Sequence, residues 1–558
     1  MAPALWGLAN LIPLVLAVFI IETFRTRKTR GLKFPPGPPQ LPIIGNVHQL
    51  SIDAWTTFTA WKDEYGPIVY LNLAGQNVVV LNTLGVASDL LDDRAAIYSD
   101  RPNWIVACQM LTEGLFMPFV RYGETWRRMR RAAHQGLHQN AVEKYKPIQT
   151  KEAMLLLNDL FHKPDGWVDH VRRYIQSFLT RTDSELTFIP RAGGSTVLGV
   201  TYDLPTLPSV NDTELRSIYD FTIHLVNTAY VDSFVVEFFP WLRHFPAWMM
   251  SWKAKALRWS RESIPIFLSM FQKVKTDWVG FSLEYVVSIR CKAYSFFQEN
   301  GLARPSLTGV VVEQQGKFGL KDKEVAWMVA AIAAASETMS GVLAWFFLAM
   351  VMYPEVQAKA QAELDRVVGR DRLPTFEDLQ HLPYIRAIVK ESLRLNPVDP
   401  LGLQHRSIED DFYNGYFIPK GTICIANVWA MNRDVDVYGP DAHLFRPERH
   451  LDKNGNLNPA AFPRTKNEGH NTFGFGRRIC VGRYLANNSL FLDMASILWL
   501  FNIQPPANDD GSPVILTEDT VNEGLVVRPN HYNYIFKPRF AEAPKILEDV
   551  LAAIQAQA

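Results

Sequence analysis

The chain has 558 residues with 57 basic and 57 acidic side chains, so it carries no formal net charge. That balance argues against nucleic acid and against a generally acidic partner. Apolar residues make up 48%, enough for a large core. The four cysteines, Cys108, Cys291, Cys424 and Cys480, lie far apart with no C-x-x-C pair, which fits a reducing compartment without a disulfide framework or zinc site.

From Ala4 to Ile21 there are 18 residues without a charge, long enough to span hydrocarbon at about 1.5 Å per residue. Arg25, Arg27, Lys28, Arg30 and Lys33 follow, and no basic side chain precedes. The positive-inside rule predicts a single N-terminal transmembrane helix over residues 1–24, with the bulk of the chain cytosolic. A cleaved signal peptide would carry its basic residues on the other side. Pro35-Pro36-Gly37-Pro38-Pro39, then Pro42 and Gly45, predict a stiff, extended linker that completes a basic and proline-rich segment over 25–45. Residues 46–558 are left as one large domain.

Ile68 to Leu73 and Asn77 to Leu81 are β-branched runs separated by Ala74-Gly75-Gln76, the pattern of a hairpin. Arg121 to about Leu160 reads as mainly helical, and residues 205–275 as aromatic-rich helices. Asp322 to Tyr353 reads as one long apolar helix. Glu355–Val368 and Pro383–Leu395 are further helices, Phe412–Asn427 has strand character around a Pro-Lys-Gly turn, and Val481–Leu500 is a buried helix. The fold class is mainly α with small β-sheets. Thr187–Ser195 and Val279–Gln298 fit this pattern poorly, the first through its Gly and Pro and the second through its aromatic load, and no functional residue is placed in either.

The most informative stretch is Phe473-Gly474-Phe475-Gly476-Arg477-Arg478-Ile479-Cys480-Val481-Gly482. A thiolate is a soft, electron-donating ligand, and haem iron is one of its recognised partners. Gly476 and Gly482 permit close backbone approach to a flat macrocycle, and Arg478 offers a fork of donors to a carboxylate. The stretch resembles the haem-ligand signature of the cytochrome P450 family, F-x-x-G-x-R-x-C-x-G, and every fixed position matches. The resemblance covers about residues 35 to 540 and implies the cytochrome P450 fold, haem b as cofactor, Cys480 as the axial iron ligand, and Phe473 as an aromatic packed on the thiolate side.

Other motifs carry the same resemblance. Glu391-Ser392-Leu393-Arg394 places acid and base on one helix face, and Phe445-Arg446-Pro447-Glu448-Arg449 adds a second arginine. They resemble the family's E-x-x-R and P-E-R elements, which implies that Glu391, Arg394 and Arg449 form a buried structural network holding the cysteine loop. Trp126-Arg127-Arg128-Met129-Arg130 resembles W-x-x-x-R, which implies Trp126 and Arg130 on a haem propionate. His405, preceded by Gln404 where many relatives have proline, is a further propionate candidate. Ala334-Ala335-Ser336-Glu337-Thr338 resembles A/G-G-x-D/E-T, with Ala335 in place of the usual glycine. It implies that Glu337 and Thr338 relay protons to iron-bound oxygen. A hydroxyl bonded to the carbonyl four residues back would bend the helix there.

The resemblance therefore implies a membrane-anchored monooxygenase on the endoplasmic reticulum, with electrons from NADPH through a separate cytochrome P450 reductase. The pocket walls fall in residues 100–120, 205–255, the helix near Ala331, Val398–Leu403 and Glu523-Gly524-Leu525. They are mostly apolar, so a lipophilic small molecule is expected. Similarity to fungal enzymes of secondary metabolism points to a terpenoid or aromatic polyketide. The rival readings are an oxygen-independent isomerase or dehydratase, against which the intact Glu337-Thr338 pair argues, and a non-catalytic haem-binding protein.

Overall fold

The computed structural model describes residues 31–167, 200–202, 220–225, 228, 235–285, 306–508, 510–522 and 524–556. The predicted anchor and the 187–195 segment lie outside the described residues, as does most of 279–298. Ten helices of the described chain matter here: α1 (Ala54–Tyr65), α2 (Glu124–Leu137), α3 (Lys146–His162), α4 (Ser251–Tyr285), α5 (Asp322–Ala334), α6 (Ser336–Met352), α7 (Pro354–Val367), α8 (Pro383–Leu395), α9 (Arg483–Leu500) and α10 (Ala543–Ala556).

The predicted hairpin forms as β1 (Ile68–Leu73) and β2 (Gln76–Leu81), with Leu73 opposite Gln76. Its two-residue loop, Ala74-Gly75, sits at φ 48° and 90°, the left-handed conformation that matches the twist of paired strands. The strand-rich stretch after α8 divides into β3 (His405–Arg406), β4 (Asp411–Tyr413), β5 (Tyr416–Ile418) and β6 (Ile423–Ala426). A four-stranded sheet in the order β1-β2-β6-β3 results, while β4 pairs with β5 alone. Near the C-terminus β7 (Phe501–Gln504) pairs with β10 (Ile535–Pro538), and β8 (Thr520–Asn522) with β9 (Val527–Pro529).

Helix starts follow local chemistry. α8 opens with Pro383, whose missing N–H costs nothing at that position. The next two amides, Tyr384 and Ile385, donate to the Glu363 carboxylate of α7 at 3.0–3.1 Å, which satisfies donors that the helix leaves unpaired. α9 is buried on most of its circumference, as expected for a helix that is apolar nearly all round.

The two largest of six apolar clusters among the described residues build the core around the site. One joins α3, α6, α7, α8 and α9 with the C-terminal strands. The other joins the 104–120 segment, α2, α4, α5 and the start of α9. They meet where α5 gives way to α6. There the structure corrects the sequence reading: the long apolar stretch is not one helix. Ala335 breaks it with φ −72° and ψ −8°. Asp322–Met352 is, among the described residues, the one stretch long and apolar enough to cross a membrane, and it is buried inside the domain.

Candidate active site

The site is built on a fully buried acid. Glu391, on the inner face of α8, accepts five hydrogen bonds. Arg394 supplies two at 2.7 and 2.8 Å, Arg449 one at 2.9 Å, His450 Nε2 one at 2.9 Å, and the Arg446 amide one at 2.9 Å. Burial pushes the Glu391 carboxyl up, but the Arg394 guanidinium and the His450 contact outweigh it and hold it well below the usual carboxylate range. Burial keeps His450 itself neutral. The i,i+3 spacing shows only the Arg394 contact; His450 was not singled out in the sequence, although it follows Arg449 directly.

This network leads to the cysteine loop through hydrogen bonds. Arg394 Nη1 donates to the Asn432 carbonyl at 2.5 Å. Asn432 receives the Asn471 amide at 2.9 Å and donates to Thr472 Oγ1 at 3.1 Å, and that hydroxyl donates to the Leu393 carbonyl. Phe473 follows, and its carbonyl accepts the Cys480 amide at 2.8 Å. Gly476 has φ +55°, and a Cβ there would lie 2.1 Å from the Leu91 carbonyl oxygen. Packing on the 88–93 turn by itself requires a bare residue there. Gly482 differs: a Cβ there would meet open space beside Cys480.

Cys480 is accessible to a solvent probe. Yet burial in surrounding protein pushes its thiol up, against the pull of the Gly482 amide, Arg130 and Arg483. The Cys480 side chain is thus left open at the head of α9 while protein crowds around it. On one side of it three guanidiniums gather. Arg478 is buried, donates to the Ser99 and Val120 carbonyls at 2.8 and 2.7 Å, and stacks 4.1 Å from the Trp126 ring centre. Its Nη1 is buried with no hydrogen-bond partner. Arg130 reaches the Ile479 carbonyl at 2.5 Å. Arg101 is buried against the carbonyls of Pro118, Leu403 and Gln404. Burial and the neighbouring arginines pull Arg478 below the usual guanidinium range.

His405 Nδ1 meets the Tyr98 carbonyl at 2.8 Å, and burial beside Arg101 and Arg478 holds its imidazole neutral. Buried cations in excess of buried anions mark a place for an anion. An exposed thiol and a group of buried guanidiniums with an orphaned donor fit an iron macrocycle bearing carboxylates.

The helix break faces open space too. Ala335 and Thr338 are exposed in the midst of buried neighbours. Thr338 Oγ1 donates to the Ala335 carbonyl at 2.8 Å, three residues back and not the four expected, and the Thr338 amide adds a 3.2 Å bond to the same oxygen. The Ala335 amide bonds to Ile332 at 3.2 Å. These i→i+3 bonds tighten the turn and interrupt the α ladder. Glu337 is buried and paired with Arg528 of β9 at 2.5 Å. Arg528 and Arg101 were not singled out in the sequence. The only trace of Arg528 is one cation closing the apolar run Leu525-Val526-Val527.

A family model described as Cytochrome P450 matches residues 35–536. A cytochrome P450 monooxygenase of Armillaria gallica is 45% identical over 96% of this chain and 95% of its own length. Cytochrome P450 monooxygenase 58 of Postia placenta is 42% identical over 97% and 95%, and cytochrome P450 monooxygenase iboC of Amanita muscaria is 37% identical over 96% of each chain.

Proposed function

This chain belongs to the cytochrome P450 family, and we propose that it is a membrane-anchored enzyme that hydroxylates a lipophilic small molecule in fungal secondary metabolism. Membership makes it an oxidoreductase of the monooxygenase type with haem b bound through a cysteine thiolate. The observation that carries the assignment of roles is the exposed thiol of Cys480 beside Arg130, two residues after a buried Arg478 with an unpartnered nitrogen.

Cys480 is the iron ligand. Trp126, Arg130, Arg478 and His405, joined by Arg101, hold the haem carboxylates. Glu391, Arg394 and Arg449 act structurally, by fixing the loop. When bound, the haem supplies activation of dioxygen, and its thiolate favours O–O cleavage. The chain supplies the rest: Thr338 and Glu337 carry protons to the oxygen site. The balance is one substrate, one dioxygen, one NADPH and one proton giving hydroxylated product, water and NADP⁺. A leaking cycle gives hydrogen peroxide and NADP⁺ instead. Electrons enter from a separate NADPH–cytochrome P450 reductase. A groove of about 870 Å³ on the outer side of the cysteine loop, lined in part by Gly476, Arg477, Lys466 and Asp92, offers that partner a seat.

Thr338→Ala should keep haem and substrate binding while lowering product per NADPH by about 10²-fold, the low end of what a positioned proton donor contributes. Hydrogen peroxide should rise in step. NADPH, peroxide and product measured together, on the substrate identified by metabolite profiling of a host co-expressing a reductase, test this. Unchanged coupling would remove Thr338 from the relay.

The anchor places the domain on the endoplasmic reticulum membrane. Support comes from the apolar 4–21 run and from exposed Trp241, Trp248 and Met249, since exposed aromatic groups suit a lipid interface. Deleting residues 1–30 should release a folded, haem-containing domain from membranes. If the truncated protein stays fully bound after a carbonate wash, attachment resides elsewhere. The pocket walls remain mainly apolar, with Ala331, Leu403 and Leu525 packed in one cluster, which favours terpenoid or aromatic polyketide substrates.

A further inference from the structure

The end of α2 carries two histidines outside the haem wall. His134 lies in its last turn and His138 caps it, four residues on. The His138 amide donates to the His134 carbonyl at 3.0 Å, so helical bonding still holds between them and both side chains leave one face of the helix. Their ring centres are 5.7 Å apart, with the planes tilted by 48°. His134 is exposed and His138 half-buried. Among the described residues neither ring makes a hydrogen bond or an ion pair.

The backbone under the pair is fixed. Gly136 and Leu137, between the two histidines, are buried, and a Cβ on Gly136 would collide with Leu307. Beyond the helix the Ala141 and Val142 amides both donate to the His138 carbonyl, at 2.9 and 3.1 Å. The two imidazoles are thus presented by a scaffold that is held before any ligand arrives, which lowers the ordering cost of binding one.

We propose that His134 and His138 chelate one divalent transition metal of the zinc class, with water filling the remaining positions. Two imidazoles on one tetrahedral zinc, with bonds of about 2.0–2.1 Å, hold their ring centres roughly 5 Å apart. A small turn of either side chain closes the difference. Imidazole suits zinc, copper and nickel, whereas magnesium and calcium take oxygen ligands. No group of three His, Cys, Asp or Glu side chains gathers among the described residues. The ion is therefore exchangeable, unlike one in a closed site of four protein ligands.

The charged groups acting on His134 are Arg130 and Arg483. Arg130 is tied to the Ile479 carbonyl at 2.5 Å. Arg483 Nη1 donates to the Cys480 carbonyl at 3.2 Å, and its Nε lies 4.0 Å from Glu468. These cations oppose a dication and keep the site weak, but they are held by other partners and leave the imidazoles open. An ion bound here joins the two ends of the last turn of α2, the helix that carries Trp126 and Arg130. It binds only the folded turn and so stabilises it by mass action.

The test uses full-length, haem-containing protein without a histidine tag. Zinc chloride titrated against a chromogenic zinc chelator should reveal a site in the wild type that His134→Asn or His138→Asn weakens about tenfold or more, because a chelate is lost. Excess magnesium chloride should not compete for it. Zinc should raise the thermal midpoint of the wild type and not that of the double variant. Equal zinc affinity in the wild type and both single variants overturns the proposal, and so does a thermal shift of the same size in the double variant. If the variants do not fold, the electron spin resonance spectrum of wild-type protein with substoichiometric copper(II) decides. Coupling to two imidazole nitrogens supports the site, and coupling to one or none contradicts it.

Discussion

Glu391→Ala should leave the chain unable to hold its cysteine loop. The substitution strands Arg394, Arg449 and neutral His450 inside the protein, where Arg394 and Glu391 are both fully buried. Removing one member of a buried charged network costs about 3–5 kcal/mol, against a total stability of roughly 5–15 kcal/mol for folded proteins. The loss should appear as little soluble protein and almost no bound haem, measured by haem absorbance per polypeptide. Glu391→Gln, which keeps the shape, should be milder but still impaired. A normal haem content in Glu391→Ala would mean that the loop is held by other contacts. The same acid gives a pH signature. Its folded pKa is depressed, so its contribution is complete above the unfolded value of about 4.3 and is lost as pH falls below it. Acid unfolding should therefore steepen below about pH 4.3 in the wild type, and that component should be missing in Glu391→Gln.

Cys480→Ala should abolish catalysis altogether while leaving most of the fold intact. The residue lies at the mouth of α9, and its side chain faces open space and not the packed core. Removing its sulfur opens no cavity in either apolar cluster, so the thermal midpoint of haem-free protein should move little. What disappears is the proposed metal ligand. Haem should be retained weakly or lost on gel filtration, and product formation with reductase and NADPH should fall to background. The other two cysteines in the described chain, Cys108 and Cys424, are buried, and burial pushes the Cys108 thiol up to about 12. Neither is placed to substitute. Retained turnover in Cys480→Ala would show that another residue binds the iron.

Local patterns made part of this site readable from sequence. The cysteine loop, Pro383–Leu395 and the hairpin each depend on residues close in the chain, where turn chemistry and periodicity act. Contacts between distant residues left no such trace. Arg528 reaches Glu337 from 191 positions away, and Arg101 reaches Leu403 from 302 away. Only the folded chain brings them together. The break at Ala335 was hidden for another reason. Alanine is the strongest helix former, so composition predicts continuity there. What interrupts the helix is a shift in hydrogen bonding around the Ala335 carbonyl, driven by the Thr338 hydroxyl and amide. Gly476 illustrates the opposite case: the glycine was visible in the pattern, but its contact with the Leu91 carbonyl was not.

The most direct test of the account is the carbon monoxide difference spectrum of the reduced, full-length protein. A thiolate axial ligand donates enough charge to move the main absorption band of the ferrous carbon monoxide complex far to the red of that seen with histidine. The account predicts that red-shifted band in the wild type and its disappearance in Cys480→His. A wild-type band at the histidine position, or a red-shifted band that survives in Cys480→His, would contradict Cys480 as the iron ligand and with it the proposed chemistry of the site.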